Sequence, residues 1–90
     1  MSIERFYQLL DKADPTIQQF WNREKHEIVT KIPPSVLESM GTRKNHLLNF
    51  LGNVWAGADN YRFCFMEAVK DLDEKDLAII REWLADPFWP

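Results

Sequence analysis

The chain has one cysteine, Cys64, in 90 residues, so no disulfide forms within it and the cross-linked framework of small secreted domains is excluded. Nowhere does it hold an apolar run approaching the roughly 18 residues of a membrane span. Its start, Met-Ser-Ile-Glu-Arg-Phe, has no apolar stretch after a basic one, and so does not read as a secretion signal. The expected location is the cytoplasm, with no membrane partner. A basic excess is also missing. Net charge is −3, and residues 59–90 carry four Lys/Arg against eight Asp/Glu, which argues against nucleic-acid binding over the whole surface.

Catalytic and metal-binding patterns fail one by one. His26-Glu27 opens like a zinc-protease helix, but Thr30 stands where the second histidine is required. A di-iron helix needs Glu three residues ahead of His, and His26 and His46 are preceded there by Arg23 and Arg43. Gly52 and Gly57 have phosphate-loop spacing, yet Ala58-Asp59 follows where Lys and Ser/Thr must reach phosphate and metal. Cys64 reads as an inert thiol on an apolar helix face. No enzyme activity and no cofactor is implied.

What is present is buriable surface. Hydrophobic residues make up 46% of the chain, with four Trp, six Phe and two Tyr, too much for a disordered segment. Ninety residues allow one core and one domain, 1–90. The spacing predicts an all-α fold, a compact bundle of five to six short helices at about 3–13, 15–31, 34–40, 43–56, 60–71 and 74–85.

In the first helix Ile3, Phe6, Tyr7, Leu10 and Ala13 share a side. Asp14-Pro15 caps the second, whose stripe is Ile17, Phe20, Trp21 and Ile28 until Pro33-Pro34 stops it. Glu24 falls inside that stripe and is expected to pair with Arg43 or Lys44 of the fourth helix. Gly41 separates the third helix from the fourth, and Gly57 ends the fourth. In 60–71, Tyr61, Phe63 and Phe65 alternate as in a strand, while Tyr61, Cys64, Phe65, Ala68 and Leu72 fit a helix; the helix is preferred, since a lone strand has no partner. Asp73 caps the last helix, with Leu77, Ile80, Trp83 and Leu84 on one side.

Three surfaces stand out as candidate binding sites. The outward stripe of helix 43–56, Asn45, Asn49 and Asn53 with Gly52, is uncharged and small, so that another backbone can approach it. Helix 60–71 is apolar almost all round, leaving Phe63 and Met66 on its second side beside Arg62. The tail 86–90 places Phe88 and Trp89 between prolines, and it either folds back or docks elsewhere. These features point to a non-enzymatic protein-interaction module, an adaptor, inhibitor or regulatory subunit, that binds a protein partner or a second copy of itself. The alternative is a transcriptional regulator with a helix-turn-helix at 34–51, in which Arg43, Lys44, Asn45 and His46 open the helix that enters the major groove.

Overall fold

In the computed structural model, residues 3–29, 34–59 and 61–90 are described, apart from the side chain of Leu37. The order is α1 (Ile3–Leu10), α2 (Pro15–Gln18), β1 (Trp21–Asn22), β2 (Glu27–Ile28), α3 (Pro34–Ala56), α4 (Phe65–Asp71) and α5 (Glu74–Ala85). The fold is thus mostly helical, with one small antiparallel hairpin.

α1 buries Phe6, Leu9 and Leu10. It stops three residues short of the expected end because the last turn tightens: the Lys12 amide donates to the Leu9 carbonyl at 3.1 Å and the Ala13 amide to the Leu10 carbonyl at 2.9 Å. The Asp14 carboxylate then caps α2, accepting from the Thr16 amide at 2.9 Å, with Pro15 in the first turn.

The helix expected over 15–31 is replaced by α2 and the hairpin; its last two residues, 30 and 31, and Pro33 lie outside the described residues. The cause is local. Asn22 Oδ1 accepts from the amides of Glu24 and Lys25, both at 3.1 Å, closing a turn that competes with helix propagation. His26 adopts φ 54°, and β2 returns with Ile28 opposite Trp21 and Glu27 opposite Asn22. The Val29 amide extends the pairing to the Phe20 carbonyl at 2.7 Å. Ile17, Phe20 and Trp21 are buried all the same, because the inward face is set by the core and not by the element type. Glu24 sits exposed in the hairpin turn, and the expected pair is not made. Lys44 instead lies 3.4 Å from Asp14, and Arg43 lies 3.9 Å from Asp73.

α3 runs through Gly41, whose φ of 82° and ψ of 164° break it into limbs 34–40 and 42–56, a conformation glycine adopts without strain. The second limb is the centre of the molecule and buries Leu47, Leu48, Phe50, Leu51 and Val54. At its end Gly57, with φ 68°, donates to the Asn53 carbonyl at 2.9 Å, and Ala58 donates to the same oxygen at 3.3 Å, a left-handed helix stop.

α4 begins at Phe65, later than the expected helix; residue 60 lies outside the described residues, and 61–64 are not helical. Asp73 caps α5 by accepting from the Asp76 amide at 2.9 Å. The tail folds back: Trp83 Nε1 donates to the Phe88 carbonyl at 2.8 Å, and the Arg5 guanidinium lies over the Phe88 ring at 4.4 Å while reaching Asp86 at 2.7 Å. One cluster of buried side chains draws on Phe6, Ile17, Trp21, Leu51, Ala68, Ile79 and Phe88. The radius of gyration, 12.3 Å, matches the roughly 12 Å of a compact chain of this length.

Candidate functional site

The second limb of α3 decides what the surface offers. Its stripe of Asn49, Gly52 and Asn53 does receive a backbone, and that backbone belongs to the same chain. Asn49 Nδ2 donates to the Arg62 carbonyl at 2.9 Å; Asn53 Nδ2 donates to the Tyr61 carbonyl at 3.0 Å and its Oδ1 accepts from the Tyr61 amide at 2.7 Å. The Tyr61 ring covers Gly52 so closely that a Cβ there would stand 2.7 Å from a ring carbon. Asn49 and Asn53 are therefore engaged in positioning Tyr61 and Arg62 of the same chain. Asn45 is half-buried on the same limb.

The helix-turn-helix residues Arg43, Lys44 and His46 each bond within the chain. Arg43 Nε donates to the Asp71 carbonyl at 2.9 Å, Lys44 Nζ is 3.3 Å from Thr16 Oγ1, and His46, buried, places Nε2 2.9 Å from Asp71 Oδ2. Each of the three side chains thus meets a partner within the chain, Arg43 while remaining exposed. Asp14, facing Lys44, has its carboxyl held below the ordinary 3.8, first by the Thr16 hydroxyl and amide that donate to it.

Several exposed apolar side chains, Phe65, Met66, Val69, Leu84 and Trp89, lie on α4, α5 and the tail. α4 is short, and only Ala68 within it is buried. Phe65 and Val69, one helical turn apart, face α5 from the rim of a cleft of about 220 Å³ that Leu77, Ile80, Arg81 and Leu84 complete. A second cleft of about 380 Å³ continues from it, sharing Phe65, Ile80 and Leu84 and ending at Gly57, Asp59 and Trp89. The two clefts adjoin at Phe65, Ile80 and Leu84, and together they are called the α4–α5 groove. The larger cleft is lined by an aromatic series, Phe65 to Phe63 to Phe50 to Trp83 to Trp89, with successive ring centroids 6.4, 5.5, 5.6 and 5.6 Å apart.

Phe65 is 50% exposed, Trp89 56% and Met66, on the outer shoulder of α4, 69%. Of the expected binding residues, the groove unites Phe63 and Trp89, with Met66 alongside. Arg62 is exposed, contributing its carbonyl to Asn49. Phe88 is buried, with the Arg5 guanidinium over its ring. Cys64, expected on the inner face, is exposed because the helix begins only after it.

Sequence reasoning missed Val69, and it placed Phe65 and Leu84 in the core. A usable signal was present: α4 offers three large apolar residues around a single small one at its inward position, so a seven-residue helix cannot bury them all. Among the described residues no three His, Cys, Asp or Glu side chains converge to hold a metal ion, and no helix is long and apolar enough to cross a membrane. No protein-family model matches the chain, and neither a curated protein nor a solved structure does.

Proposed function

We propose that the protein is a small, non-enzymatic cytoplasmic binding module whose contact surface is the groove between α4 and α5, with Met66 on its shoulder and Trp89 at its end. The observation that carries this reading is the gathering of Phe65, Val69, Leu84 and Trp89, each about half exposed, along two adjoining clefts, with Met66, 69% exposed, next to Phe65 on α4. Single exposed apolar residues are ordinary, whereas a contiguous set of this size marks a surface that is covered in use. Aromatic and Met residues are also the types enriched where proteins meet. The helix-turn-helix reading at 34–51 has no comparable support, since Arg43 and Lys44 meet carboxylates of their own chain.

The test is affinity capture from the native extract, comparing the wild type with Met66→Glu and Val69→Arg. Both positions are exposed, so circular dichroism and melting temperature should be unchanged. The expected result is loss of the captured protein, a second copy included, with both variants; recovery at wild-type yield contradicts the proposal.

A further inference from the structure

The two adjoining clefts of the groove carry opposite charges. Asp59 lines only the cleft that ends at Trp89, and Arg81 lines only the cleft beside Val69, while Phe65, Ile80 and Leu84 lie between and belong to both. None of the ion pairs among the described residues involves Asp59. Arg81 is held only by Glu74, a pair in which both side chains are more than half exposed. The groove also has a projection beside it: Met66 follows Phe65 by one position, so it is turned about 100° around the helix axis, out of the cleft and onto its shoulder. It is the most exposed of the large apolar side chains, at 69%.

A surface that carries an acid in one cleft, a base in the other and a knob beside a hole is complementary to itself when turned by 180°. We infer that the occupant of the groove is a second copy of this chain, related by a two-fold axis passing near Phe65. This rests on the groove being the binding face. The axis brings Asp59 of each copy to Arg81 of the other and sets Met66 of each against the other's cleft, the reciprocal pairing that a two-fold interface requires.

The extent of the surface sets the strength. Five large apolar side chains, 45% to 69% exposed, two of them aromatic, leave on the order of 500 Å² per copy. Two such faces cover about 1,000 Å², the low end for specific association. The dimer is therefore reversible, with a dissociation constant in the micromolar range and a dependence on salt from its charge pairs.

Sedimentation velocity over a concentration series from a few to several hundred micromolar tests this on the full chain. The weight-average mass should rise from 10.7 kDa toward twice that value. Met66→Glu should hold it at the monomer mass. Asp59→Arg and Arg81→Glu should each weaken association about tenfold, and the two together in one chain should restore it, because the reversed charges again meet across the axis. All three positions are exposed, and circular dichroism checks that the variants remain folded.

A wild type that stays monomeric throughout overturns the inference, as does a dimer indifferent to Met66→Glu, or a double reversal no stronger than the single ones. If the wild type is monomeric yet captures a different protein in a Met66-dependent way, the second-copy assignment fails and the groove stands. If it is monomeric and captures nothing, both fail.

Discussion

Gly52→Ala should destabilise this protein, although the same change at an ordinary helix position stabilises by about 1 kcal/mol through helix propensity. Gly52 lies within α3 and is fully covered by the Tyr61 ring. An alanine Cβ would stand 2.7 and 2.8 Å from two ring carbons, whereas carbons in contact settle at about 3.5–4.0 Å. The ring must retreat by about 0.8 Å or more, pulling on the two hydrogen bonds by which Asn53 holds the Tyr61 backbone. Overpacking of this kind costs about 1–3 kcal/mol, so after the propensity gain the net loss is about 1 kcal/mol, a fall in melting temperature of about 4–8 °C for a domain of this size.

Thermal denaturation followed by circular dichroism reads the change, and a second background isolates its cause. With Tyr61→Ala the obstruction is gone, and Gly52→Ala should become neutral or stabilising, giving a coupling of at least about 1 kcal/mol between neighbours. Stabilisation by Gly52→Ala in the wild type, or no coupling with Tyr61→Ala, would refute the packing of 61–64 on α3.

Two further changes probe the parts that set the frame. Asp14→Ala removes a cap and the partner of Lys44 and should cost about 1 kcal/mol at neutral pH. Because the Asp14 carboxyl sits below its ordinary 3.8 in the folded state, its contribution is present above that value and lost as pH falls through the lower one. The gap between the two melting curves should therefore close on acidification; a gap independent of pH counts against the cap. Asn22→Ala removes both turn-closing acceptor contacts and should lower stability by about 1 kcal/mol, with faster amide exchange at Glu24 and Lys25. Unchanged exchange there would remove Asn22 as the reason the hairpin forms.

Where capping residues and a stable periodicity coincide, the elements could be read directly. Asp73 and the Leu77, Ile80, Leu84 spacing place α5 at its observed bounds, and Gly41 and Gly57 mark the break and the end of α3. The second helix failed because Ile17, Phe20 and Trp21 fit an inward face in either conformation. The six polar residues 22–27 held the missing information: continued as helix they pass all the way round the axis and put charge on the core, so they belong to a turn. The apparent need of Glu24 for a buried partner was a sign of that.

The proposed binding surface was legible only in part. Met66, Phe63 and Trp89 could be picked out as apolar residues in excess of what their elements bury. Asn49 and Asn53 could not be told from contact residues, because a small neutral helix face accepts a backbone from any source, and here it accepts 61–64. Phe65 and Leu84 were hidden by lying on the sides of α4 and α5 that face one another, where the short helix and small Ala68 leave the junction open.

The central claim, that binding occurs at the α4–α5 groove, is tested most directly by placing a photo-crosslinking side chain at Met66 and, separately, at Glu24 in the hairpin turn, both exposed. Irradiated in the native extract, the chain labelled at Met66 should form a discrete higher-mass adduct, with another protein or with a second copy, and the chain labelled at Glu24 should not. An adduct from Glu24 alone, or equal adducts from both positions, would contradict the account.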